Sequence, residues 1–320
     1  MRVALLIFLI LASFLCGCSE KLVESGEILR ISDMSGKELE IKKAPERVIF
    51  LSGESWIYAL GIKEKVVAVS DNAKLNPILL ELDPEISKIP SVGDMNRVNE
   101  EAILFLKPDV IVVWDEPPGY KENAKKLEKL GIPIFRMGYI DKYPEDVCKQ
   151  AKLLGKIFEV EKRAEELCNI IDKKWSDITS KKPEKKVKVL YSFTSPTYIA
   201  CKNNYAVFIE AAGGEVVYPE HCNSAWIQVS KEWIIEANPE IWIINYYARY
   251  NESAILGDPA FSDVEAVKKK AVFKESFLPM QFLEPYFLLT VQQYKSWITG
   301  DVDLEKEKKI LLKEIYGVKL

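Results

Sequence analysis

Two α/β lobes with mainly parallel sheets, flanking a helical connector, are the fold class this sequence predicts. Short apolar runs alternate with helix-patterned stretches twice along the chain, once before residue 143 and once after residue 182, and strands separated by helices of that length pair in parallel. The runs carry little polar alternation, as strands buried on both faces do. Between the two series, residues 144–180 have no strand character. There Leu153, Leu154, Ile157, Phe158, Ala164, Leu167, Ile170, Ile171 and Trp175 fall at helical spacing.

The chain opens MRVALLIFLILASFLCGC: one Arg, an unbroken apolar run over residues 3–15 that is short for a bilayer span, then small residues. That is an export signal over residues 1–17. Leu15-Cys16-Gly17-Cys18 resembles the bacterial lipobox, which makes Cys18 the expected lipid-attachment point and 18–28 a tether; Cys16, preceded by bulky Leu15, does not fit. At about 0.8 kcal/mol per buried CH₂, acyl or ether chains there hold a protein body at a membrane surface. Next, ILRISDMSGKELEI alternates with the strand period about Met34-Ser35-Gly36-Lys37 and reads as a hairpin. RVIFL, KVVAVS, DVIVVWD and IPIFRMG follow as strands, with ESWIYALG, NEEAILFLKP and YKENAKKLEKLG as helices among them, for a first lobe over 29–142. The connector, 143–182, ends in SKKPEKK. KVKVLYSF then starts a second lobe, 183–320, in which NYAVFIEAAGG and VSKEWIIEANP read as helices and EIWIINYY as a strand. The halves share a grammar: NEEAILFLKPDVIVVW and SKEWIIEANPEIWIIN are each a helix entered through Asn or Ser with Glu following, then a proline and an apolar strand. Ligands of open α/β sheets sit beyond the carboxyl ends of the strands, so those ends hold the candidate site residues.

Composition narrows the function classes. The 320 residues are 48% hydrophobic and 29% charged, ordinary for a globular chain, and 44 basic against 48 acidic residues create no field to hold a phosphate backbone. Nucleic acid is therefore not an expected partner. A single histidine, His221, cannot build an imidazole-rich zinc or manganese site, there is no Cys-x-x-Cys pair, and neither a metal site nor a cofactor is expected. Beyond the leader the cysteines are Cys148, Cys168, Cys201 and Cys222, and sequence cannot choose among their pairings. Cys148 with Cys168 across a helical turn near Gly155, and Cys201 with Cys222, is one arrangement; four free, buried thiols is the other.

Strand, tight turn and helix over 48–61 is the geometry of a nucleophile elbow, so a cleft hydrolase using Ser55 is the competing reading. Against it, GESWI has no glycine two residues past Ser55, and the sole histidine lies in the other lobe. Ser52 and Ser55 are instead expected to cap the following helix. AAGGE follows a helix rather than opening one, so its glycines read as a C-cap and not as a phosphate cradle. Aromatic placement is the positive signal. Trp56, Trp114, Tyr139, Tyr198, Tyr205, Trp226, Tyr246, Tyr247, Tyr250 and Phe282 lie in turns or at strand ends, where rings suit a bulky, partly apolar ligand. Arg97 and Arg249, scarce among many lysines, add forked hydrogen bonds for carboxylates or other anionic groups.

DMSGKELEIKKAPERVIFL, ALGIKEKVVAVSD, SVGDMNRVNEEAILFLKPDVIVVW, AAGGE, IQVSKEWIIEANPEIWII and DPAFSDVEAVKKKAVF, in that order, resemble the class III solute-binding proteins of ABC importers. Those are the lipoprotein or periplasmic receptors for cobalamin, ferric siderophores and haem, and the resemblance covers nearly all of the mature chain. It implies two lobes joined by a single long rigid helix, a ligand cleft between the lobes, and no catalysis. It also implies an extracytoplasmic, lipid-anchored protein at the cell membrane that delivers its ligand to an ABC permease with its ATPase subunits. Docking would use one exposed glutamate per lobe, Glu101 with Glu100 as its rival in VNEEAI, and Glu232 in VSKEWI; such carboxylates set register on permease arginines. The expected ligand contacts are Ser55, Trp56, Asn96, Arg97, Trp114, Tyr139, Tyr198, Trp226, Tyr246, Tyr247, Arg249 and Phe282. Trp114 and Trp226 resemble the aromatic cleft positions of cobalamin receptors, the second expectation for the ligand. Arg97, Arg249 and the tyrosines of NYYARY favour the first, an iron chelate of siderophore or haem type.

Overall fold

A computed structural model describes residues 27–116, 118–180, 183–276 and 284–317. The signal segment, Cys18 and Phe282 lie outside the described residues. The expected hairpin is present: β1 (Ile28–Ser32) pairs antiparallel with β2 (Glu38–Lys42), Ile31 opposite Leu39. Its turn is closed by Asp33, whose Oδ1 accepts from the backbone N–H of Ser35 at 2.9 Å and of Lys37 at 3.0 Å. Ile31, Leu39 and Ile41 face the core while their neighbours face water, the period-two pattern read from the sequence.

The first sheet has the order β4-β3-β5-β6 and is wholly parallel: β3 (Val48–Phe50), β4 (Val66–Val69), β5 (Val110–Val113) and β6 (Ile134–Arg136). Every residue of β3, β5 and β6 is buried, which is why those runs lack alternation. The helices of this half are α1 (Ser55–Ala59), α2 (Pro77–Leu82), α3 (Glu100–Leu106) and α4 (Pro118–Glu128). The capping expected of Ser52 and Ser55 is not made. Glu54 holds the N-cap position of α1 without a side-chain bond, the Ser52 hydroxyl donates to the carbonyl of Leu51, and Ser55 is already inside the helix.

The connector is two helices rather than one across its full span. α5 (Glu145–Phe158) and α6 (Glu161–Ser180) pack on each other, and the chain reverses at Glu159, which adopts the left-handed region at φ +58°. Glycine 155 permits the close approach: a Cβ there would sit 2.8 Å from that of Ala164. The 20-residue α6 leads on to the second sheet.

That sheet is built from β7 (Val187–Ser192), β8 (Tyr198–Ala200), β9 (Gly214–Val216), β10 (Trp226–Gln228), β11 (Ile241–Ile244) and β12 (Val272–Lys274). Strands β9, β7, β11 and β12 run parallel in the order that β4, β3, β5 and β6 follow in the first, while β8 and β10 add an antiparallel edge. Its helices are α7 (Asn204–Ala211), α8 (Lys231–Ala237), α9 (Glu252–Leu256), α10 (Glu265–Lys268), α11 (Phe287–Thr299) and α12 (Leu304–Tyr316). A disulfide joins Cys201 to Cys222, whereas Cys148 and Cys168 are free, buried thiols; the two-bridge arrangement is therefore half realised.

One continuous core runs through both halves. It includes Phe50, Trp56, Tyr143, Phe158, Tyr191, Phe208 and Phe287. At its middle Tyr143 contacts Phe208 at 4.8 Å and Phe287 at 4.9 Å between ring centroids. The C-terminal α12 returns to the first half, packing on α1 and α6, and the Arg163 Nε of α6 donates to the Ala59 carbonyl at 2.9 Å. No helix among the described residues is long and apolar enough to cross a membrane.

Candidate functional site

The carboxyl ends of both sheets carry short, tightly held loops. After β3 the chain turns at Gly53, whose φ of +73° and whose contact with Met137, 2.4 Å from where a Cβ would stand, admit no other residue without strain. After β11 the loop 245–250 is pinned at nearly every residue. The Asn245 Oδ1 accepts from the Tyr247 N–H at 2.9 Å, and Tyr246 donates its N–H to Glu275 at 3.0 Å. Lys274 Nζ reaches the carbonyls of Ala248 and Tyr250 at 2.8 and 3.1 Å, and the Tyr250 hydroxyl donates to Ser192 at 2.8 Å. What this loop leaves in solvent are the side chains of Tyr247, 47% exposed, and Arg249.

Across from it, the turn 93–97 of the first lobe is fixed in the same manner. Asp94 Oδ1 accepts from the backbone of Asn96 at 2.7 Å and of Arg97 at 3.1 Å, and the Asn96 amide donates to the Tyr120 hydroxyl at 3.4 Å. Tyr120 packs edge-on against Trp114, 5.9 Å between centroids. Tyr120 also lies near enough to Tyr247 to act on it. Burial first, then the neighbouring phenols of Tyr120 and Tyr246, push the Tyr247 hydroxyl up to about 12. Tyr139, at the end of β6, is 42% exposed. Phenols therefore come from both lobes, and the exposed guanidiniums Arg97 and Arg249 stand one in each; neither has an acidic partner among the described residues.

Behind this surface lies a layer of rings and buried acids. Trp226 is half-buried against Tyr191, Phe193, Tyr198 and Tyr205, stacking on Tyr198 at 5.8 Å. Glu275 is buried and accepts from Tyr191 at 2.8 Å, from Asn245 at 3.3 Å and from the hydroxyl of Tyr294; burial raises its carboxyl to about 7 despite those donors. Glu284 is also buried. It accepts the Ser55 N–H at 2.6 Å, and burial together with the nearby Glu54 raises it to about 8. Glu54 is pushed up by burial as well, and is bonded by the hydroxyl of Ser70.

The expected site thus divides. Asn96, Arg97, Trp114, Tyr139, Tyr246, Tyr247 and Arg249 stand on strand-end loops. Tyr198 and Trp226 belong to the ring layer of the second sheet's edge. Ser55 and Trp56 do not reach the site: both are fully buried, Trp56 donating its indole N–H to Gln150 at 2.8 Å. Ser55 is accordingly no accessible nucleophile, and the hydrolase reading falls. Tyr120, Glu275 and Glu284 were not expected. Tyr120 sits in a segment whose charge pattern reads only as a solvated helix, and the two glutamates look like surface acids until the fold buries them.

The expected docking glutamates occupy equivalent places. α3 and α8 are both 7 residues long, both N-capped (by Asn99 and Ser230), and both closed by a left-handed residue, Lys107 and Asn238. Glu101 and Glu232 are the second residues of these helices and are exposed. The Glu232 carboxyl is held low by its own backbone N–H and by the Ser230 hydroxyl.

Comparison with known proteins matches residues 48–275 to the periplasmic binding protein family. A molybdate-binding protein of Haemophilus influenzae is 25% identical over 280 residues, 76% of each chain. A vitamin B12-binding protein of Yersinia pestis is 26% identical over 208 residues, 63% of this chain and 70% of its own. Among solved structures, a periplasmic solute-binding protein of Veillonella parvula has a TM-score of 0.74 at 26% identity, with 92% of this chain and 94% of that chain covered.

Proposed function

The chain belongs to the periplasmic binding protein family, a family of solute receptors and not enzymes, and from that premise we propose that it captures an anionic metal complex, an iron chelate first of all. The observation that carries this reading is the pair of pinned turns that present an exposed guanidinium in each lobe, with the phenols of Tyr120, Tyr246 and Tyr247 on or against them. Arginine forks suit carboxylate or oxyanion edges, and the rings suit the organic part of a chelate. Because the loop backbones are already tied down, little ordering entropy is spent on binding.

A second reading, a corrinoid, is favoured by the edge-packed Trp114 and Tyr120 and by likeness to the vitamin B12-binding relative. Tryptophan quenching with ferric citrate, ferric hydroxamate, ferric catecholate, haem, cobalamin and molybdate separates these. Saturable quenching by anionic iron complexes supports the first reading, by cobalamin alone the second, and by molybdate alone would place the chain with its Haemophilus relative. No response to any member would sink the receptor reading of this cleft.

Delivery completes the proposal. The receptor sits outside the cytoplasmic membrane, tethered through lipid on Cys18, and docks on an ABC permease through Glu101 and Glu232. Beside Glu101, one helical turn on, Phe105 is 85% exposed and Leu104 is 50% exposed, an apolar complement to a carboxylate contact.

A further inference from the structure

We propose that Cys148 and Cys168 are an oxidisable dithiol that closes a second disulfide and staples α5 to α6. The two residues lie 20 positions apart on helices that pack on one another, and each thiol is close enough to shift the titration of the other. Cys168 Sγ also stands 3.5 Å from the Cys148 carbonyl, and Cys148 Sγ 3.9 Å from Asp172. Both side chains are buried, yet Cys148 lines an open cavity of about 470 Å³ together with Glu145, Lys149, Lys152, Lys156 and Asp172. Small disulfides therefore have a route to one member of the pair, along a lysine-rich wall that favours thiolate. The Cys148 thiol, hydrogen-bonded to Cys168, holds the latter below its ordinary value, aided by Lys152, and is itself pushed up by the same bond and by burial.

The chemistry balances as ordinary exchange with a small-molecule disulfide, R–S–S–R. Cys148 gives its proton to water and its thiolate attacks one sulfur, forming a mixed disulfide and releasing R–S⁻. Cys168 then gives a proton to that thiolate and attacks the Cys148 sulfur, expelling the second R–S⁻, which takes a proton from water's pool. Net, two protein thiols and R–S–S–R yield one protein disulfide and two R–SH. The oxidised Cys201–Cys222 pair in the same chain suits a compartment where such exchange runs forward. The consequence is mechanical: the staple closes the hairpin whose second helix leads to the second lobe. This goes beyond the receptor reading and does not depend on it.

The test treats the reduced, purified protein with 2-hydroxyethyl disulfide, denatures it in N-ethylmaleimide, and maps the peptides. The expected result is a peptide pair linked through Cys148 and Cys168, with a melting temperature about 5 °C above that of the reduced protein. A Cys148→Ser, Cys168→Ser double variant should show no such oxidant-dependent rise once Cys201–Cys222 is formed in both samples. Recovery of Cys148 and Cys168 as N-ethylmaleimide adducts while Cys201–Cys222 is linked in the same digest would overturn the proposal, as would linkage of either residue to Cys201 or Cys222.

Discussion

At the residue scale the site is a matter of which polar groups the loops spend internally and which they leave outward. Tyr247 has its backbone N–H bonded, Arg249 lies between the Ala248 and Tyr250 carbonyls that hold Lys274, and both side chains are in solvent. Tyr247→Ala and Arg249→Ala should each weaken ligand capture about tenfold, equivalent to about 1.4 kcal/mol, with little change in melting temperature; a fluorescence titration with whichever complex quenches the native protein measures it. Glu284 makes a different prediction. Its carboxyl rises from 4.5 unfolded to about 8 folded, mainly through burial, so between those values the folded state keeps a proton that the unfolded state has released. Stability must then fall as pH rises through that window. Thermal melts from pH 5 to 8 should show the decline, and Glu284→Gln, which cannot ionise, should make it shallower, Glu275 and Glu54 contributing the remainder; an unchanged slope would refute the assignment. Arg97, Arg249, Tyr139 and Tyr247 stand exposed on loops, where a residue keeps the character its sequence gives it. Glu275 and Glu284 were not legible, since nothing local distinguishes a buried acid from a solvated one. Trp56 misled for the converse reason: a ring at a turn looks available until Gln150, 94 positions away, takes its N–H.

Among elements, the repeated α3–β5 and α8–β11 units are the most instructive. Sequence alone leaves Glu100 and Glu101 as rivals, but the shared caps align Glu101, not Glu100, with Glu232, Asn99 with Ser230, and Lys107 with Asn238. Two carboxylates in matched positions suit a partner of matched halves. Glu101→Lys with Glu232→Lys should abolish transport and leave ligand affinity intact, while Glu100→Lys with Glu232→Lys should be the milder pair; uptake by cells carrying each variant, beside binding by the purified receptors, decides between them. Strands were legible from their unbroken apolar runs, and these helices from their capping residues. The break inside the connector was not. Glutamate is an uncommon left-handed residue, and at position 159 it is held by its N–H bond to the Gly155 carbonyl, by the ion pair of its carboxylate with Lys43 and by the packing of α5 on α6. Likewise β8, β9 and β10, of 3 residues each, are too short to declare a period.

For the whole molecule, the shared core and the return of α12 to the first half leave no independent lobes to swing. Closing a wide cleft would have to tear the Tyr143, Phe208 and Phe287 contacts, and buried aromatic contacts are worth about 1 kcal/mol each beyond their area. Solution scattering with and without ligand should show nearly the same radius of gyration; a large compaction would contradict this. Membrane retention tests the other end of the chain. Cys18→Ser should move the protein from the membrane to the aqueous fraction, and persistent retention would point to an anchor other than lipid.

By itself the sequence determined what depends on neighbours along the chain: the hairpin, the strand and helix order, the glutamates on helix starts, and a loop-borne set of rings and arginines. It also excluded a basic nucleic-acid surface and a histidine-rich metal site. Only the tertiary structure decided what depends on residues far apart in sequence. It chose the Cys201–Cys222 bridge, turned Ser55 and Trp56 inward, buried Glu275 and Glu284, and brought Tyr120 to Tyr247. The reason is physical. Secondary structure follows from spacing and local propensity, whereas burial and electrostatic partnership are set by which surfaces the core brings together.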